Sequence, residues 1–266
     1  MSLEVGPGPT APRAAPEPVL AVEQLTVRHG GVVALDEVTL TVAEGSITGL
    51  IGPNGAGKTT FIDTLTGFTR PRGGRITFEG QAIERAAPHA RARRGLVRTF
   101  QSLELFDDLP VRENLVIAAS PPDLWSTLTD ALWPKRRDER AVDEVLDDLD
   151  LGAVAERTPD ALSNGQRHIV ALARALVARP RLVLLDEPAA GLDPAETSEL
   201  ADVLRRLPAR GTAVLLVDHD MALVMGVCDT VHVLDFGRLV ASGPPAQVRT
   251  DPVVVAAYLG DQAAPA

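Results

Sequence analysis

The sequence predicts an α/β fold built on a parallel sheet. Three observations lead there. The apolar strand "SITGLI" (46–51) runs straight into the glycine-rich turn "GPNGAGKT" (52–59), which opens a helix over 58–66. Two further apolar runs of buried-strand length, "RLVLLDEP" (181–188) and "GTAVLLVDHD" (211–220), each end in carboxylates. A helical pattern at 195–207 separates them, and such a strand–helix–strand unit makes its strands parallel.

The remaining elements follow in order. Residues 1–18 are rich in Pro, Ala and Gly and read as a disordered extension; 261–266 read as a tail. From Leu20, "LAVEQLTVRHG" and "VTLTVAEGSITGLIG" alternate apolar and polar residues between Gly breaks, the pattern of half-buried strands. "GRITFEG" (74–80) reads as a short strand ending in a turn, and about 112–180 as a largely helical stretch with long polar faces. "TVHVLDFGRLVASG" (230–243) reads as a hairpin with Phe236-Gly237 at its turn. There is no internal repeat. At 266 residues the chain forms one large domain or two small ones, and it can bury roughly three quarters of its unfolded surface.

Bulk properties narrow the function. The net charge of −10, from 26 basic and 36 acidic residues, opposes nucleic acid as a partner. The single cysteine, Cys228, excludes an intramolecular disulfide and fits a reducing compartment. No apolar run reaches the ~18 residues of a membrane span, and "MSLEVGPGPTAPRAAPEPV" lacks the apolar core of a secretory signal. The expectation is a cytoplasmic protein that sits on a membrane only if a partner holds it there.

The chain has two lysines, Lys58 and Lys135, and Lys58 lies in the glycine turn. That turn fits G-x-x-x-x-G-K-[ST] throughout: Gly52, Pro53, Asn54, Gly55, Ala56, Gly57, Lys58, Thr59, with Thr60 following. Gly52, Gly55 and Gly57 let successive N–H groups converge on phosphate oxygens. Lys58 neutralises the β- and γ-phosphates of a nucleotide, and the Thr59 hydroxyl can ligate Mg²⁺. "LLDEP" places Asp186 and Glu187 at the carboxyl end of a parallel strand, where such sheets bind ligands. Asp186 is expected to hold Mg²⁺ and Glu187 to polarise the attacking water; strand alternation points the two apart and gives them unequal roles. His219 ends the next apolar run, where it can contact a γ-phosphate. Gln101, in "VRTFQSLELF", is neutral and can reach Mg²⁺ or the water, then swing away without leaving a charge. "ALSNGQRHIVALARAL" (161–176) adds a second candidate anion site, because Ser163, Asn164 and Gly165 open a helix.

The P-loop at 52–59, Gln101, "LSNGQ" (162–166), "LLDEP" and His219 stand in one order, and that set resembles the ATP-binding subunits of ABC transporters. "AGLD" (190–193) resembles the family's D-loop, with Asp193 as its acid. The resemblance covers about 19–260. It implies a P-loop NTPase domain of the ABC type, with an antiparallel β subdomain and a helical subdomain at about 102–178 that carries the signature. Two such subunits clamp two ATP molecules head to tail, so Ser163, Gly165, Gln166 and Asp193 face ATP held by a second ATPase subunit, identical or a sister. Two membrane permease subunits and an extracytoplasmic substrate-binding protein complete the assembly, which places this chain at the cytoplasmic face of the cell membrane. In this family the region of "SLELFDDLPV" lies against the membrane domain.

"GFTRPRGGRITFEG", "RTFQSLELF", "VRENL", "LLDEPAAGLDPAE", "DHDMALVMGVCD" and "AYLG" look more closely like the LivG-type subunits of branched-chain amino acid importers, with related amino acids and amides as other cargo. Three departures stand out. His29 occupies the place of the aromatic that stacks on adenine, so either its imidazole stacks or adenine rests on Val33. Asn164 replaces a signature glycine, and Asp218 precedes His219 where Glu is usual. Trp125, Leu128, Leu132 and Trp133 share a helical face before Pro134; that face either meets the membrane subunits or packs inside the helical subdomain. Two rivals remain. A soluble ABC ATPase acting on ribosomes or DNA commonly carries two cassettes or a long coiled-coil insertion, neither present here. A nucleotide-gated regulatory clamp does not need the intact Glu187 and His219.

Overall fold

The structure, a computed structural model, describes residues 18–99, 103–119 and 136–261. The first half of the chain gives β1 (Pro18–His29), β2 (Val32–Ala43), β3 (Ile47–Ile51), α1 (Lys58–Thr66), β4 (Gly73–Phe78), β5 (Gln81–Ala82), α2 (Pro88–Arg93), β6 (Leu96–Thr99) and α3 (Val111–Ala119). The second half gives α4 (Arg136–Asp148), α5 (Asn164–Leu176), β7 (Leu182–Asp186), α6 (Pro194–Arg206), β8 (Ala213–Val217), α7 (Met221–Val227), β9 (Thr230–Asp235), β10 (Arg238–Gly243), α8 (Pro245–Val248) and α9 (Pro252–Asp261).

The strands form two sheets. One is antiparallel in the order β2-β1-β4-β5; the other runs β10-β9-β3-β8-β7-β6. Within the second, β9, β3, β8, β7 and β6 are mutually parallel, and β10 closes the edge antiparallel to β9. The expected strand–helix–strand unit is β7–α6–β8. The expected hairpin is β9–β10, with Phe236 and Gly237 both at positive φ, as a two-residue turn of this hand requires.

Alternation along the buried strands sorts their side chains into two cores. Val183 and Leu185 of β7, with Val214 and Leu216 of β8, join a core shared with α3, α4, α5, α6 and α7. Leu182 and Leu184, with Ala213, Leu215 and Val217, join a core shared with α1 and the antiparallel sheet. The parallel sheet is therefore the middle of three layers, which explains why its strands read as continuous apolar runs. Sequence reading passed over α2 and β6. Both depend on a distant partner: Arg91 of α2 is 2% exposed and donates to the carbonyls of Thr64 and Leu65 at the end of α1, each at 2.7 Å. The tryptophan face at 125–133 lies outside the described residues.

The β9–β10 turn also locks the first half of the chain. Gly237 N donates to Ala56 O at 2.9 Å, and Asp36 N donates to Gly237 O at 2.8 Å. At φ +78 a Cβ on residue 237 would stand 2.6 Å from Ala34 O. Gly237→Ala is expected to lose about 1–3 kcal/mol through backbone strain and the displaced turn, read as a lower urea midpoint at unchanged slope.

Candidate functional site

The carboxyl ends of the parallel strands gather most of the residues singled out in the sequence. β3 leads into the glycine turn, β7 ends at Asp186, and β8 ends just before Asp218 and His219. The rungs are level: Val217 pairs with Leu50 of β3 and with Asp186 of β7. β6 ends at Thr99, two residues short of Gln101, which itself lies outside the described residues.

The glycine turn wraps its own lysine. Lys58 is 8% exposed, and its Nζ donates to Gly52 O at 2.7 Å and Pro53 O at 2.9 Å. Gly57 caps α1 at φ 107, and a Cβ there would stand 2.6 Å from Ala34 O. The tip of the β1–β2 hairpin is thus drawn against the loop. His29, exposed, and Val33, half-buried, stand on that tip, on neighbouring rungs with Val32 and Arg28. In the glycine turn, Asn54, Gly55 and Thr59 are exposed.

Asp186 and Glu187 part company, for a reason other than strand alternation. β7 stops at Asp186, and Glu187 takes the left-handed conformation at φ 49, with its N–H on Val217 O at 2.7 Å. A non-glycine residue there is strained, which is common at functional turns. Asp186 Oδ2 meets Arg98 Nη2 at 2.7 Å on the β6 side. Glu187 Oε2 lies 3.8 Å from His219 Nδ1 on the β8 side. Asp218, fully buried, accepts from Ala189 N at 3.2 Å and Asp220 N at 2.9 Å, so it braces the turn that carries Glu187.

α5 opens with a reciprocal cap: Gln166 N donates to Ser163 Oγ and Ser163 N to Gln166 Oε1, both at 3.1 Å. The buried Gly165 gives its N–H to Glu196 Oε1 of the same chain at 2.7 Å. Glu196 also accepts from Asp193 N at 3.2 Å, while Asp193 caps α6 by accepting from Ala195 N and Glu196 N. Asn164 Nδ2 donates to Gly191 O at 2.9 Å, and His168 Nδ1 is 2.7 Å from Pro188 O. The signature helix is therefore fastened to the segment after Glu187 by Asn164, Gly165 and His168.

Sequence reading missed Glu196, His168, Arg98 and Asn114. Asn114, in "VRENL", is fully buried; it accepts from Phe106 N and donates to the carbonyls of Phe106, Leu109 and Pro110, which shapes the loop at 106–110. Val97, Arg98, Leu103, Glu104, Ala118 and Arg174 are among the residues lining a cleft of about 180 Å³. Arg174 donates to Glu104 O and lies 5.1 Å over the Phe106 ring.

A cation site can be judged from its donors. Among the described residues no group of three or more His, Cys, Asp or Glu side chains could hold a metal ion. Nucleotide-bound Mg²⁺ needs only one or two hard oxygens from protein, with phosphate and water as the rest. The Thr59 hydroxyl and the Asp186 carboxylate are donors of that kind, and they fit.

Known proteins resemble the chain in sequence and in fold. The family described as ABC transporter matches residues 35–190, and that of the branched-chain amino acid ATP-binding cassette transporter matches 238–264. The high-affinity branched-chain amino acid transport ATP-binding protein BraF of Pseudomonas aeruginosa is 41% identical over 252 residues, covering 92% of this chain and 98% of that protein. LivG of Escherichia coli K12, a protein of the same description, is 40% identical over 92% of this chain and 99% of its own length. Among solved structures, a nucleotide-free ATP-binding cassette from an ABC transporter superposes with a TM-score of 0.80 at 31% identity, over 91% of this chain and 99% of that one. The ADP conformation of another such cassette gives 0.80 at 32% identity, over 92% and 99%.

Burial lowers the pKa of both His168 and His232 below the ordinary 6.5. The unfolded chain then binds more protons than the folded one just below that value. Their contribution to stability is complete above pH 6.5 and is lost as pH falls toward the folded values. The urea midpoint is expected to drop from about pH 7.5 to about pH 5.5, and the double variant His168→Gln, His232→Gln to flatten that drop.

Proposed function

The chain belongs to the ABC transporter family, and we propose that it is the ATP-hydrolysing subunit of an importer of branched-chain amino acids or related amino acids and amides. The observation that carries the reading is the level meeting of the Lys58 loop, Asp186, Glu187 and His219 at one end of the sheet. The cargo rests on the relatives named above and on the family match at 238–264.

The residues divide the work as follows. Backbone N–H groups from Asn54 to Thr60 cradle the phosphates, and Lys58 turns from the Gly52 and Pro53 carbonyls to the β- and γ-oxygens. Adenine lies at the hairpin tip, against His29 or Val33. Thr59 and Asp186, with Gln101, would hold Mg²⁺, which neutralises phosphate charge when bound. Glu187 orients the attacking water and takes its proton. His219, within 4 Å of Glu187 and still exposed, contacts the γ-phosphate and registers its loss. Ser163, Gly165, Gln166 and Asp193 face the ATP of a second ATPase subunit in a head-to-tail dimer.

Among the described residues no helix is long and apolar enough to cross a membrane. Transport is assigned to separate permease subunits, with a substrate-binding protein on the far side, on the strength of the relatives named above. The cleft beside Phe106, which is 41% exposed, is the surface we assign to a permease helix at the cytoplasmic face.

Glu187→Gln is expected to bind ATP and dimerise while releasing phosphate about 10²–10⁴-fold more slowly. Turnover at the wild-type rate removes Glu187 from the role of base. Lys58→Ala is expected to weaken ATP binding by roughly 10–150-fold, the loss of about 1.5–3 kcal/mol from a charge-assisted contact. An unchanged dissociation constant by calorimetry contradicts the cradle.

A further inference from the structure

Arg98 lies in "VRTFQ", at the end of β6, and the reaction as described makes no use of it. Its Nη1 meets Asp63 Oδ1 of α1 at 2.6 Å, and its Nη2 meets Asp186 Oδ2 at 2.7 Å. The side chains of Arg98 and Asp186 are 12% and 15% exposed, so solvent screens the pair weakly. A guanidinium offers its donors in a rigid plane. With one edge fixed by Asp63, the other fixes the rotation of the Asp186 carboxylate and leaves Oδ1 for a cation or its water.

We infer that Arg98 is a positioning residue for the divalent cation of the bound nucleotide, acting through Asp186. Metal-binding carboxylates are commonly held by such an outer partner, whose loss costs 10–100-fold in metal affinity. The positive charge of Arg98 opposes a cation, but the two carboxylates it bridges outweigh it, so orientation of Asp186 has to exceed that repulsion for the inference to hold. The inference rests on the reading of Asp186 as the metal-holding acid.

The test is calorimetric binding of a non-hydrolysable imido analogue of ATP to the full chain, in EDTA and across a Mg²⁺ series. Arg98→Met keeps the length of the side chain and removes the fork. It is expected to raise the Mg²⁺ concentration that half-saturates the tightening by about 10–100-fold, with affinity in EDTA within about twofold of wild type. Asp63→Asn removes only the anchor and is expected to shift the half-point the same way by less. An unchanged or lowered half-point in Arg98→Met overturns the inference, and so does a fall in melting temperature with the half-point unmoved. If Arg98→Met does not fold, Asp63→Asn decides by the same criterion. Asp186→Asn separates the two readings. If it leaves the half-point at wild type, the metal role of Asp186 fails. If it shifts the half-point while Arg98→Met does not, only the role of Arg98 fails.

Discussion

Val217 is paired on both edges, with Leu50 on one side and Asp186 on the other, and this double pairing sets the level of the whole site. Three chain segments leave the sheet at one height: the loop that holds Lys58, the turn that holds Glu187, and the Asp218-His219 corner. The register cannot drift. Leu215 and Val217 belong to one core and Val214 and Leu216 to the other, so a slip of one residue would exchange every side chain between cores of different shape. Apolar sorting deep in the sheet thus places charged groups at its rim. The fully buried Asp218 then satisfies the backbone just beyond the rung and keeps the Glu187 turn from relaxing.

The segment after Glu187 serves two sites at once. Pro188, Gly191 and Glu196 hold His168, Asn164 and Gly165, so the opening of α5 is tied to the turn that carries Glu187. This tie also qualifies the notion of the α5 N-terminus as an anion site. Glu196, an anion from within the chain, already accepts the Gly165 N–H, and the cap uses Ser163 Oγ only as an acceptor. In the head-to-tail dimer proposed above, the Ser163 hydroxyl hydrogen would be a donor left for a partner's phosphate, and Glu196 holds the Gly165 end of that helix. Asn164, a departure from the signature in sequence, becomes a link to the D-loop in structure.

How much of this was legible depends on the range of the interaction involved. The helix at 58–66, the hairpin at 230–243 and the strands that carry Asp186 and Val217 are written in local terms, as turn chemistry and apolar runs, and they stand where the sequence put them. The glycine turn was legible for the same reason. Arg98, Glu196 and Asn114 were not. Each is an ordinary polar residue whose meaning comes from a partner: Arg98 from Asp186, 88 positions away, and Glu196 from Gly165, 31 positions away. No periodicity announces such pairs. Glu187 shows the intermediate case, in which the residue was identified but its divergence from Asp186 comes from a left-handed backbone rather than from strand alternation.

β6 belongs to two places at once, and that fact connects the ends of the proposed transport cycle. Val97 and Arg98 line the cleft that also holds Glu104 and Arg174, and Arg98 reaches from the same strand to Asp186. In the reading proposed above, a permease helix seated in the cleft would contact a strand whose arginine pairs with Asp186. Coupling over such a distance needs a contiguous element that both sites can bias. A short strand on the edge of the sheet, hydrogen-bonded on one side to β7 and anchored to α1 through Asp63, has fewer ladder bonds to resist displacement than the central strands. The sheet thus divides its labour: β3, β8 and β7 set the level of the site, and β6 at the rim joins the cleft to Asp186.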